Sequence, residues 1–147
     1  MMNLEQLAVR LTTVTVQVDH VLESAIEQAC VVLERSAKSA IGTYRFGWQE
    51  LAESTQKERV RLGYTADEPL LRTGDLRDSY QHNSDSHEGY VGSDDPRAAW
   101  MEWGTRKMPA RPVLWGALVE CESEITGIVG KGIQSALGDK RYLTHGD

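Results

Sequence analysis

No run of this chain stays apolar for the roughly 18 residues that a bilayer-crossing helix needs, so no membrane span is expected. The start, from Met1 to Arg10, places no cationic segment ahead of an apolar core and a cleavage site. No secretory leader is therefore expected, and the protein is read as made and kept in the cytosol or in something assembled there. Cationic excess is also missing: 16 Lys and Arg stand against 22 Asp and Glu, a formal net charge of -6. That balance argues against a broad positive face for nucleic acid, while leaving room for a local basic patch. Cysteine is scarce. Cys30 and Cys121 each fall in an apolar helical pattern, which favours small buried hydrophobes over a disulfide or a metal role. Phenylalanine occurs once, against four tryptophans and five tyrosines, amphipathic rings that suit contact surfaces as well as cores. There is no internal repeat and no low-complexity segment.

With 147 residues the expectation is one domain with a modest core, covering residues 1–138, and a loose tail over 139–147. Asn3 can cap a helix start. Apolar residues then recur at Leu4, Leu7, Leu11, Val14, Val18, Val21, Ala25 and Val32, a continuous three–four stripe that predicts a long N-terminal helix over 1–42. One signal competes with it. Thr12 to Val18 is β-branched and alternates with period two, which would suit a strand or a break. Gly42 is a natural stop. The aromatic connector from Thr43 to Trp48 should plug the edge of the core. A short helix is expected from about Leu51 to Arg61, then a mobile loop to Pro69. Arg72, Thr73, Gly74 and Leu76 read as a structural turn, with Gly74 free to take positive φ. Leu76 to His82 and Glu88 to Val91 look like two arms of an antiparallel pair around a polar tip, Asn83 to Ser86. Ser93 or Asp94 can cap the next helix, with Pro96 in its first turn and Gly104 at its end. Ala98, Ala99, Trp100, Met101 and Trp103 line that helix. Two prolines, Pro109 and Pro112, argue against regular hydrogen bonding in the loop after it. The last helix should run from Val113 to Leu137 on a stripe that includes Leu114, Ala117, Leu118, Cys121 and Ile125. Its Gly127, Gly130 and Gly132 either weaken it or mark a close helix approach.

Catalytic signatures are faint. His82, Asp85, His87 and Glu88 form the most metal-like cluster, and a small metal-dependent hydrolase built on that tip is one reading. Their spacing matches no helical or finger arrangement, and a hairpin tip is polar in any case. Ser79 and Ser93 lack the strained elbow of an activated nucleophile. The Arg-Thr-Gly turn has no following G-x-x-x-x-G-K run, so it is no phosphate-binding loop. Asp94 and Asp95 suit capping and the helix dipole better than acid–base work. No catalytic residue, cofactor or resident metal is expected. Arg106, Lys107 and Arg111 are more suggestive, because they lie beside Trp100, Trp103 and Met108, and Arg, Trp and Met are enriched in interface cores. Together Trp100, Trp103, Arg106, Lys107 and Arg111 are the candidate interface. A nucleic-acid-binding accessory protein using the same cations is the other alternative.

The order of motifs, more than any one of them, resembles the neck or tail-completion proteins of lambda-like long-tailed bacteriophages. The matching pieces are Trp48, Leu51, Ser54, Thr55 and Lys57; then Leu71, Arg72, Thr73, Gly74, Leu76 and Arg77; then Val91, Gly92 and Ser93. Trp100, Glu102, Trp103, Gly104 and Thr105 follow, and Pro109, Ala110, Arg111, Pro112 and Leu114 close the series. The resemblance covers roughly residues 48–137. Tryptophans stand where the family pattern often has tyrosine or phenylalanine. What the resemblance implies is an α+β fold, with a small antiparallel sheet covered by the long N-terminal and the C-terminal helix. It also implies a non-enzymatic virion protein that acts as a homo-oligomeric ring joining head to tail or completing the tail. Its partners would be itself and neighbouring connector or tail proteins. DNA would only pass through the channel, and the acidic total would keep such a ring from gripping it.

Overall fold

A computed structural model describes residues 3–137. The tail expected over 139–147 lies outside them, as do the first two residues of the expected N-terminal helix. Five helices and a two-stranded antiparallel sheet follow in the order α1 (Leu4–Ala40), α2 (Glu53–Arg61), α3 (Asp75–Asp78), β1 (Tyr80–Ser84), β2 (Gly89–Ser93), α4 (Pro96–Trp103) and α5 (Leu114–Leu137). The class is α+β, with a long N-terminal and a C-terminal helix.

Helix α1 starts on a reciprocal cap: Asn3 Oδ1 accepts from the Gln6 amide at 2.8 Å, and Gln6 Oε1 accepts from the Asn3 amide at 3.1 Å. Two otherwise orphaned amide donors are satisfied at once. The helix continues through Thr12 to Val18 without a break. There the hydroxyls of Thr12, Thr13 and Thr15 donate to the carbonyls of Ala8, Val9 and Leu11 at 2.9–3.0 Å. This back-bonding lets β-branched threonine sit in a helix, and it overrides the period-two pattern.

Packing divides the chain into two compact units. Within the described residues, the first holds 3–30, 83–90 and 123–137. In it, Gly132 of α5 lies against α1: a Cβ there would meet Ala25 Cβ at 3.1 Å and Val21 Cγ1 at 3.4 Å. Gly132 therefore marks a close helix approach, whereas a Cβ at Gly127 or Gly130 would meet nothing within 4 Å among the described residues. Ala25, Ala29 and Cys30 are buried on α1, and Gly89 of β2 fits against Cys30 and Ile26. The first members of the apolar stripe, Leu4, Leu7 and Leu11, are exposed.

The second unit holds residues 31–82 and 91–122. Its core joins Ala37 and Ala40 of α1, and Ile41 just after it, with Trp48, Leu76, Tyr80, Ala98, Val113 and Ala117. Small residues on α1 and α5 leave room for the Trp48 and Tyr80 rings. Trp48 meets Phe46 edge-on at 5.7 Å, an arrangement worth about 0.5–1.5 kcal/mol beyond burial, and its indole N–H donates to the Pro112 carbonyl at 3.2 Å. The aromatic connector thus enters the core as expected. Cys30 and Cys121 are free and buried.

Four local expectations need correction. Leu76 to His82 is not one strand: Gly74, at φ 95° and ψ -10°, restarts the chain into α3, and Leu76 drops into the core. The strand begins only at Tyr80 and runs to Ser84, and its partner runs from Gly89 to Ser93. The cap of α4 is neither Ser93 nor Asp94 but Asp95, whose carboxylate accepts from the Arg97 amide at 2.9 Å. The stretch after α2 is tied rather than loose: Arg59 Nε donates to the Thr65 carbonyl, Tyr44 Oη to Asp67, and the Gly42 amide to the Pro69 carbonyl at 2.8 Å. Lastly, Thr105 and Met108 bond each other's backbones in both directions, so the basic loop holds a closed turn ahead of its prolines.

Candidate functional site

Helix α4 and the start of α5 are joined within the second unit. Pro96 occupies the first turn, where a missing N–H costs nothing. Hydrogen bonds from the Arg97 side chain and amide hold the Asp95 carboxyl below its ordinary range. Gly104 ends α4 at φ 74° and ψ 175°, a conformation that side chains other than glycine rarely adopt. Between them, Glu102 reaches forward to the first turn of α5. Its carboxylate accepts from the amides of Val113 at 2.8 Å, Leu114 at 3.1 Å and Trp115 at 2.9 Å. A negative charge on three amide donors that lack an intrahelical acceptor is what a helix N-terminus favours.

Large apolar side chains leave this junction toward solvent. Trp103 is 84% exposed, Trp115 63% and Trp100 53%. Trp100 and Trp103 share a face of α4 at i and i+3. Trp115, Leu118 and Val119 share one on α5 at i, i+3 and i+4, and all three are exposed. The sequence singled out Trp100 and Trp103 but passed over Trp115, which sits one place off the buried stripe of α5. That offset was the available signal. Glu102 gave none, because its partners lie more than ten residues away.

The predicted cations separate. Arg106 and Lys107 are exposed on the turn closed by Thr105 and Met108. Arg111 is not part of that surface. It is buried at 5% exposure, its amide donates to the Met101 carbonyl at 2.7 Å, and its guanidinium donates to the Gln49 carbonyl at 3.0 and 3.3 Å. The expected turn is well formed: Thr73 Oγ1 donates to the Asp75 carboxylate at 2.6 Å, Leu76 is buried, and the Arg72 guanidinium lies 5.8 Å above the Tyr64 ring.

The hairpin tip is organised around local turns. Asp85 accepts from the amides of His87 at 2.7 Å and Glu88 at 2.8 Å, and these bonds hold its carboxyl below the ordinary range. Ser86 Oγ meets His87 Nδ1 at 2.7 Å, and Tyr90 Oη donates to Glu88. His82 Nδ1 is engaged by Glu34 of α1. Among the described residues no group of three or more His, Cys, Asp or Glu is placed to hold a metal ion. Ser79 and Ser93 bond each other at 2.6 Å, and Ser79 also donates to the Leu76 carbonyl. No described helix is long and apolar enough to cross a membrane.

Compared with models of protein families, with curated proteins and with solved structures, the chain matches none of them.

Proposed function

We propose that the chain is a structural virion protein of a bacteriophage or prophage, non-enzymatic, that joins head to tail or completes the tail at the neck as an oligomeric ring. The observation that carries the assembly part of this reading is the exposure of three tryptophans, Trp100 and Trp103 on α4 and Trp115 on α5. Water-exposed tryptophans on a capped support are costly for a monomer to keep and well suited to burial against another subunit. Arg106 and Lys107, exposed and close behind Trp103 in the chain, are suited to a polar rim. The order of motifs from Trp48 to Leu114 supports the phage assignment.

The test is solution mass by light scattering across a concentration series, on the wild type and on Trp103→Ala. A tryptophan at the centre of an interface contributes about 2 kcal/mol or more, so the variant should associate at least about 30-fold more weakly. Its monomer should keep the wild-type melting midpoint, because Trp103 is almost wholly outside the core. Equal association of the two proteins, alone and with co-expressed connector and tail proteins, would remove the interface from the proposal.

A further inference from the structure

The second unit also holds a partly enclosed cavity of about 270 Å³ bounded by α2, the turn before α3, α4 and the loop that follows it. Arg59, Arg72, Arg97 and Arg111 line it, and among the described residues no carboxylate does. In a chain of net charge -6 that is a local reversal of sign. Leu51, Leu70, Leu76, Met101 and Met108 supply an apolar wall, and Thr55 adds a hydroxyl.

Two of the arginines are built into the wall. Arg59 is 3% exposed and Arg111 5%. Arg59 donates to the carbonyls of Thr65 and Leu71, and Arg111 to that of Gln49. A guanidinium has five N–H donors, so each keeps some beyond these bonds. Burial first, and then the charge of Arg72, push the Arg59 guanidinium below its ordinary range: two cations crowd one place. Arg97 is paired with Asp95, and Arg72 lies over Tyr64. Leu70, on the apolar side, holds φ at 63°. A left-handed backbone of this kind is disfavoured for a branched side chain and tends to gather where a site needs it.

We propose that this cavity binds an aliphatic carboxylate, with the anionic group against the arginines and a branched alkyl stem against the leucines and methionines. The volume is below the roughly 300–1,000 Å³ of pockets for drug-sized ligands, so the occupant is a fragment of side-chain size. The five apolar lining residues call for a hydrocarbon stem, which inorganic phosphate lacks. Much of the arginine donor capacity is already given to Gln49, Thr65, Leu71 and Asp95, which suits a monoanion better than a dianion. A free short-chain acid and the carboxylate of another protein chain share this chemistry. The site stands independently of the ring reading, since Arg97 and Met101 line the cavity while Trp100 and Trp103 are exposed.

The probe is 4-methylpentanoate, titrated into the full chain and followed by the NMR signals of the methionine methyls and arginine Nε–H groups. Saturable shifts at Met101 and Met108 are expected, with 4-methylpentan-1-ol and inorganic phosphate each weaker by about tenfold or more. Arg72→Gln, at an exposed position outside the core, should weaken the acid by about tenfold with an unchanged melting midpoint. Absence of saturable shifts, equal binding of the alcohol or of phosphate, or wild-type binding by Arg72→Gln would each overturn the site. Light scattering then separates the sources. A saturating level of the acid that lowers the self-associated mass assigns the carboxylate to another chain; binding that leaves the mass unchanged assigns it to a free acid.

Discussion

Tyr80 lies wholly inside the second unit, yet its hydroxyl has no hydrogen-bond partner among the described residues. Burial, with smaller contributions from the charges of Glu102 and Asp95, pushes the phenol well above its ordinary range. An unsatisfied buried hydroxyl is a cost, so removing it should not harm the fold. Tyr80→Phe should hold the urea midpoint or raise stability by up to about 1 kcal/mol; a loss of about 2 kcal/mol or more would mean that the hydroxyl does have a partner. Glu34 is the opposite case. Burial pushes its carboxyl up, but hydrogen bonds from Lys38 and His82, and the charges of both, outweigh that and hold it below the ordinary carboxylate range. A lowered folded-state pKa means that the unfolded chain takes up the proton first as pH falls. The stability this group contributes is therefore present above about pH 4.5 and is lost as pH drops through the lower folded value. Stability-against-pH curves for wild type and Glu34→Gln should converge below that point. Curves that stay parallel would show that the Lys38 and His82 contacts contribute no net charge stabilisation.

At the scale of elements, α4 and α5 behave as one piece because one carboxylate joins them. Glu102→Ala would leave three amides at the start of α5 without their acceptor and should cost about 1–2 kcal/mol. Glu102→Gln, which keeps an oxygen but not the charge, should recover part of that loss. An unchanged urea midpoint in Glu102→Ala would mean that water replaces the cap at no cost. The contrast with α1 is instructive. Its cap, Asn3 with Gln6, lies within three residues and was visible as a capping residue before a periodic stripe. Its threonine run was ambiguous in the sequence, since branched residues fit strand and helix alike until the hydroxyls find the carbonyls four residues back.

For the whole molecule, the decisive features are net acidity and an exposed apolar patch on the second unit. Copies carrying -6 each repel one another, and salt screens that repulsion while leaving apolar burial intact. Association through Trp103 and Trp115 should therefore strengthen as salt is raised from low to physiological ionic strength. Weakening instead would place charged pairs, with Arg106 and Lys107 foremost, at the contact.

What the sequence determined alone is what depends on neighbours along the chain. The long helix of α1, the glycine stop at Gly42, the turn at Gly74, the aromatic plug at Trp48 and the two buried cysteines follow from periodicity, backbone freedom and hydropathy, all local or repeating properties. Tertiary structure decided what depends on residues distant in the chain. It placed Arg111 inside, against Gln49, although its neighbours in sequence marked it as one more exposed cation. It turned Leu76 into the core and so began the strand at Tyr80. It brought Glu102 to Trp115 and gathered Arg59, Arg72, Arg97 and Arg111 around one cavity. None of these has a local signature, because each rests on a bond or a packing contact between segments that only the folded chain brings together.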